Sequence, residues 1–421
     1  MGPSPDNIGY GGSNLAIESG PEIKNRPHLT FLIRKNPQSV GGVQRLSASI
    51  IRGLSSSFNI DKLSWGGPDW GAPLYFPVFY YKSTRNGTNL VHCDDAVTAL
   101  IGAKIRSRSG KKVVAAVHGL DVILPIPWYQ RRLKSALDKI DRIVCVSKAT
   151  AEQVKIRGID PQKIEIIPCP AESAVKKINK DEILYSRIEA LTGIDLRGKK
   201  VLFSLGRPVR RKGYDYVISE ILPHLSADCV YIIAGPIPRS PSWIKTVGPI
   251  IGKKSRRLLY LASGCDSIHD ELIRLSWQQP RVFYLNGISD QLRNLLFAAS
   301  DLFIMPNRTV EGDMEGFGMV ALEASIRGVP VIATGIEGIT DAVINGENGY
   351  CVPEGDRAGM VMIINELLSN PRRLAELGRT AIDSAQKRFS LENVAGRYKK
   401  IFDDLMAENP RTIKAAMPHT N

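Results

Sequence analysis

The sequence predicts an α/β protein built from two successive doubly wound parallel sheets, each with its own core. Three observations carry this. Short apolar, β-rich runs alternate with helical periodicity through residue 170, the alternation restarts after a charged, mixed stretch at 171–200, and 421 residues suffice for two cores.

In the first half, HLTFLIR from His28 reads as the opening strand and VQRLSASIIRGLSSS from Val43 as the helix after it. FNIDKLSW, TNLVHC, KKVVAAVH, RIVCVS and KIEIIP are further strands. AVTALIGAKIRSR from Ala96 and WYQRRLKSALDKI from Trp128 are helices between them, and 171–200 reads as a linker. In the second half, KKVLFSLG, CVYIIAG, RVFYLNG, DLFIMPN, VPVIAT and GYCV alternate with helices starting near Tyr214, Ser289, Phe317 and Arg357. This gives a disordered leader at 1–26, a first domain at 27–180 and a second at 196–388. A last helix at about 390–415, apolar at Val394, Tyr398, Ile401, Phe402 and Leu405, is expected to pack back on the first domain.

Composition bounds the function. A content of 43% hydrophobic and 23% charged residues is that of an ordinary globular chain. The longest apolar run, 113–128, is interrupted by His118 and Asp121 and is too short and polar to span a bilayer. The N-terminus has no basic region followed by an apolar one, and MGPSPD does not fit a myristoylation site. The six cysteines, Cys93, Cys145, Cys169, Cys229, Cys265 and Cys351, form no CxxC pair, which suits free thiols in a reducing, cytoplasmic setting. A net charge of +14 favours an anionic partner such as nucleotide phosphates, an anionic membrane or nucleic acid.

The chemistry concentrates in a few loops. In EGFGMVALE, residues 315–323, Gly316 and Gly318 leave the backbone bare at an expected helix start. The amides of Phe317, Gly318, Met319 and Val320 can meet an anion there. Glu315 and Glu323 then stand about 10 Å apart, suited to holding sugar and ribose hydroxyls. In LGRPVRRKG, Arg207 and Lys212 lie five apart after a strand and suit the charge that grows on a departing diphosphate; Arg210 and Arg211 have no assigned role. Gly41 and Gly42, ahead of the first helix, can present amides to phosphate or sugar. His118 ends a strand, and His92 with Asp94 and Asp95 is a weaker candidate for lining an acceptor.

These stretches together resemble glycosyltransferase family 4, the retaining GT-B enzymes. EGFGMVALE matches its E-x-F-G-x-x-x-x-E core and LGRPVRRKG its G-R-x-x-x-x-K-G loop. ASIRGVPVIATGIEGITDAVINGENGYCVPEGD is similar to its downstream run, with Asp341 where the family more often has Glu. The resemblance implies two Rossmann-like domains facing a central cleft. It implies catalytic roles for His118, Arg207, Lys212 and Glu315. Gly41, Gly42, Phe317, Gly318, Met319, Val320 and Glu323 would bind donor, with Ile288 and Asp290 at the nucleobase. Two departures stand out: IIPCPAES replaces the usual P-N-G-x-D loop, and 236–280 reads as a basic insertion holding Trp243.

The expected activity is transfer of a hexose, with retention, from a UDP- or GDP-sugar to a hydroxyl of a glycan, glycolipid or lipid-linked acceptor. No metal or other cofactor is expected, since the chain has no DxD pair. The basic segments WYQRRLKSALDKIDR and KIRSRSGKK suggest peripheral contact with an anionic membrane, at its cytoplasmic face. A GT-B nucleotide-sugar epimerase is an alternative. A nucleic-acid-binding protein is another, although no helix-turn-helix, zinc or RNA-binding signature is present.

Overall fold

The computed structural model describes residues 26–34, 42–64, 76–85, 87–171, 178–226, 228–237, 252 and 266–408. Residues 1–25 of the leader, Gly41, Trp243, Cys265 and most of the basic insertion lie outside the described residues.

Two six-stranded parallel sheets organise the chain. The first holds β1 (His28–Ile33), β2 (Asn59–Ser64), β3 (Leu90–Cys93), β4 (Lys112–Val117), β5 (Arg142–Cys145) and β6 (Ile164–Ile166), in the order β2-β1-β3-β4-β5-β6. The second holds β7 (Lys200–Leu205), β8 (Cys229–Gly235), β9 (Val282–Asn286), β10 (Leu302–Met305), β11 (Val331–Thr334) and β12 (Gly349–Val352), in the order β12-β11-β10-β7-β8-β9. Strands such as β4 and β8 are buried along almost their whole length, as continuous apolar runs in a parallel sheet must be. The expected doubly wound α/β architecture is therefore present.

Helices α1 (Gly42–Leu54), α2 (Phe76–Arg85), α3 (Ala96–Ser109), α4 (Leu120–Ile123), α5 (Pro127–Leu137) and α6 (Lys148–Ile156) cover the first sheet. Their starts follow from local chemistry. Asp95 caps α3 and closes a reciprocal box with Thr98, while Ser147 caps α6. The helix Leu391–Ala407 returns to pack on α1. Its Tyr398 and Phe402 enter the core beneath β1 and β3.

Each sheet reverses its strand order once, in the first between β1 and β3 and in the second between β7 and β10. Loops diverge at such points and leave a crevice at the strands' C-terminal ends. The loops after β7 and β10 contain Arg207, Lys212 and Glu315, so strand order brings the two sequence motifs together.

Two expectations are corrected. The stretch 171–200 is not simply a linker: it carries α7 (Glu182–Thr192), capped by Asp181 and ended by Gly193 at φ 72°. Leu184 and Ile188 of α7 are buried, and it packs against the helix Asp290–Ala299. His92 lines no acceptor site. It is fully buried in β3, its ring 4.5 Å from Phe31, 5.7 Å from Tyr398 and 5.8 Å from Phe402. Burial, with the nearby charge of His118, lowers its pKa to about 3, so it is neutral.

Neither ring nitrogen of His92 has a hydrogen-bond partner. A buried unsatisfied polar group costs about 1–3 kcal/mol, and phenylalanine fits an aromatic cage of this kind. His92→Phe should therefore raise the unfolding free energy by about 1 kcal/mol, read as a higher urea midpoint at unchanged m-value.

Candidate functional site

The loop after β7 and residues 306–318 after β10 form the centre of the site. Gly213 ends the first loop at φ 64°, and a Cβ there would lie 2.0 Å from Pro306 O. Only glycine allows this approach. It sets Arg211 and Lys212 against Glu315.

Three donors converge on Glu315 Oε2. Lys212 Nζ donates at 2.7 Å and Asn307 Nδ2 at 3.0 Å, and Arg211 Nη1 donates to the same oxygen. Arg211 Nε also stands 3.1 Å from Asp313 Oδ1. Burial alone would raise the pKa of Glu315, but the charges of Arg211 and Lys212 outweigh it and hold the carboxyl well below the usual range. Lys212 answers in the opposite sense: burial lowers its pKa against the pull of Glu315, and the charges of Arg211 and Arg207 add to the lowering.

Arg207 itself is exposed at the start of the loop, as is Arg210, whereas Arg211 is buried. The residue the sequence left without a role is thus the one that fixes Glu315. Nothing in RRK distinguishes Arg210 from Arg211; which side chain turns inward is set by the close approach at Gly213. Asn307 was missed for the same reason, although its place just after an apolar strand was a usable signal.

The helix of the EGFG stretch starts later than expected. It runs Met319–Ser325, because Gly318 adopts φ 91° and ψ 50° and cannot belong to it. The amides of Phe317 and Gly318 therefore precede the helix, and those of Met319 and Val320 lie in its first turn. The Phe317 ring is buried against Phe389 at 5.8 Å. Glu323 stands between Arg45 and Arg293, each 3.6 Å away. Asp290, whose side chain is 79% exposed, lies within 3.9 Å of Arg45 and 3.5 Å of Arg293, and Ile288 is half-buried against the core. Gly42 opens α1 beside this helix, where a Cβ would lie 2.6 Å from Met319 Cε.

The two halves meet at His118. Its Nε2 is 2.7 Å from Asp94 O and its backbone N–H donates to Asp121 Oδ1 at 2.8 Å. Burial pushes the Asp94 carboxyl up to about 7, against the hydrogen bond that Ser47 donates to it. A Cβ on Gly316 would lie 1.8 Å from His118 O, so the catalytic-loop candidates of both halves are in direct contact. Alongside, Thr150 Oγ1 donates to Gly316 O at 3.4 Å and Lys148 N to Asp341 Oδ2 at 2.5 Å. Asp341, the shortened acid of its motif, therefore caps across the cleft onto α6.

Glu337 was not singled out from sequence. It has φ 50°, a left-handed conformation that costs a branched-free side chain about 1 kcal/mol or more. Its Oε2 accepts the Glu315 backbone N–H at 2.5 Å. Its side chain also lines a cavity of roughly 470 Å³ between the halves, with Ile123, Gln153, Arg157 and Met314. Among the described residues, no group of three or more His, Cys, Asp or Glu is placed to hold a metal ion.

Burial raises the Glu337 carboxyl from 4.5 to about 7, helped by the charges of Glu315 and Asp313. Between those values the folded protein holds more protons than the unfolded chain, so stability falls as pH rises through this window. In Glu337→Gln that contribution is absent. The stability of the wild type relative to Glu337→Gln should decline between about pH 5 and pH 7 and level off above, as read from urea midpoints.

Comparisons with known proteins give the family and the fold. The family described as Glycosyltransferase Family 4 matches residues 62–174, and Glycosyl transferases group 1 matches 194–384. A D-inositol 3-phosphate glycosyltransferase of Acidothermus cellulolyticus is 28% identical over 334 residues, covering 76% of this chain and 68% of that protein. A GDP-mannose-dependent alpha-(1-6)-phosphatidylinositol monomannoside mannosyltransferase of Mycolicibacterium smegmatis is 27% identical over 288 residues, covering 67% and 68%. The crystal structure of Anabaena HepE in complex with UDP and glucose superposes with a TM-score of 0.67 at 16% identity, covering 90% of this chain and all of that one.

Proposed function

The chain belongs to glycosyltransferase family 4 and has the GT-B fold, and from that premise we propose that it moves a hexose, with retention, from a UDP- or GDP-sugar to a hydroxyl of a glycan, glycolipid or lipid-linked acceptor. The observation that carries this reading is the buried cluster of Arg211, Lys212 and Asn307 on one oxygen of Glu315, beside the His118–Gly316 contact.

Clamped through Oε2, the Glu315 carboxylate has a fixed direction, and its other oxygen is the one that would accept hydrogen bonds from sugar hydroxyls. Lys212 and the exposed Arg207 lie on the same loop and would carry the charge that develops on the diphosphate as the glycosidic bond breaks. The amides of residues 317–320 would add donors. Glu323, and Asp290 with Ile288, would take the ribose and the base. Binding there would exchange the ion pairs to Arg45 and Arg293 for contacts with the nucleotide.

In a retaining transfer the acceptor hydroxyl attacks from the face the diphosphate leaves, and a leaving-group oxygen takes its proton. The chain then has only to align the two. The cavity between α4, α6 and residues 312–314 opens beside Met314 and Glu337, so it can seat an acceptor sugar next to Glu315. This scheme asks no metal to balance the diphosphate. UDP-bound HepE and the GDP-mannose-dependent relative support a nucleotide-sugar donor without choosing the base.

Two measurements test the reading. In thermal shift, either UDP or GDP and its hexose conjugates should raise the melting temperature, whereas a single-stranded oligonucleotide should not; the reverse pattern would sink the proposal. Lys212→Ala should lower nucleotide release from the preferred donor by about 10²–10³-fold while the folded far-UV spectrum persists. Near wild-type turnover in that variant would remove Lys212 from the site.

A further inference from the structure

We propose that α2, α3 and α5 form a docking face for an anionic lipid bilayer, with exposed aromatic side chains entering the headgroup region among basic ones.

The three helices are one layer, since α3 packs against both α2 and α5. They carry two, three and three basic residues respectively and no Asp or Glu at all. Helix α1 also lacks acids, with Arg45 and Arg52, whereas Leu391–Ala407 mixes acids and bases. Lys82, Lys104, Arg108, Arg131 and Arg132 are exposed. Two other bases of the layer are occupied: Arg106 pairs with Asp141 at 2.8 Å and Lys134 with Asp138 at 2.8 Å.

Apolar groups stand on the same layer. Tyr81 and Trp128 are each 54% exposed and Val78 is 40% exposed. The bases are stacked on the aromatics: Lys104 Nζ lies 4.7 Å from the Phe76 ring centre and the Arg132 guanidinium 5.6 Å from that of Trp128. Amphipathic aromatic rings flanked by Lys and Arg suit the interface of an anionic membrane, where the stems lie in the headgroups and the charges meet lipid phosphates. A nucleic acid would be served by the cations but gains little from Val78. No helix among the described residues is long and apolar enough to cross a membrane, so contact through this face would be peripheral.

The face also adjoins the site. Helix α3 begins at Ala96, two residues past Asp94, whose carbonyl holds His118. From there its axis runs about 20 Å. A bilayer lying on this layer would hold a lipid-borne acceptor within reach of His118, so donor chemistry and membrane contact occupy adjoining but separate surfaces.

The test is co-sedimentation of the full chain with vesicles of phosphatidylcholine alone or with about 30 mol% phosphatidylglycerol, at about 0.1 M and 0.5 M NaCl. The wild type should sediment with the anionic vesicles only, and less at high salt. With roughly fivefold in partition per cation, Arg131→Glu with Arg132→Glu should weaken binding at least about tenfold, and Lys104→Glu with Arg108→Glu likewise. Trp128→Ala should weaken binding while leaving its salt dependence intact. Unchanged melting temperatures and nucleotide-induced shifts would show that the variants remain folded. Equal partition onto both vesicles, no sedimentation of the wild type, or charge-reversed variants that bind like the wild type would overturn the proposal. So would an oligonucleotide that binds more tightly than the vesicles and loses affinity through the same substitutions. None of these readouts depends on turnover, so a failure here leaves the transferase reading standing.

Discussion

Everything at the site depends on the burial of Glu315 among Arg211, Lys212 and Asn307. An ionised carboxylate out of water is stable only with partners of good geometry, and removing one of them leaves a buried charge uncompensated. Here three donors meet a single oxygen, so the group is fixed in direction as well as in charge. The loop after β7 must therefore reach the loop after β10, and the glycine at 213 exists to let backbone meet backbone at Pro306. Parallel strands arranged so that β7 and β10 are neighbours make that meeting possible.

A second layer of charge surrounds this cluster. Asp313 pairs with Arg211, and Glu337 holds the Glu315 amide. Three carboxyls thus face two buried cations, and Glu337 relieves the excess by holding its proton up to about pH 7. The left-handed backbone at Glu337 is the steric cost of placing that side chain at the seam between the halves. The seam is tight: His118 O against Gly316, Thr150 on Gly316 O, and Asp341 on the first amide of α6. Motion of one half relative to the other would be felt at once by Glu315, the neighbour of Gly316 in the chain.

The first half is shaped around different needs. Its core excludes His92 from chemistry and uses it as an aromatic filler between Phe31, Tyr398 and Phe402. The returning helix Leu391–Ala407 supplies two of those three rings, so the chain's last described element completes the core against the sheet in which its first strand lies. On the far side of that sheet, α2, α3 and α5 collect basic and aromatic side chains and contain no acid of their own, although Asp141 and Asp138 pair with Arg106 and Lys134.

The sequence by itself determined the strands, most helices and the loops that hold the candidate site, because short apolar runs, helical patterns, caps and bare Gly-rich turns are local properties. Glu315, Lys212 and His118 were picked out as strand-end or loop residues beside glycines, and Glu323 as a residue inside the helix that follows Glu315. Helix α7 was harder to read, since its inward face shows few apolar residues, although Asp181 and Gly193 marked its ends. Only the tertiary structure decided that Arg211 rather than Arg210 turns inward, that Asn307 and Glu337 join the site, that His92 belongs to the core, and that Gly318 delays a helix to Met319. Arg211 lies 104 residues from Glu315, Glu337 22 and Asn307 8, so these contacts depend on how the chain folds back on itself. Such contacts are set by strand order and close backbone approach, and no local pattern encodes them.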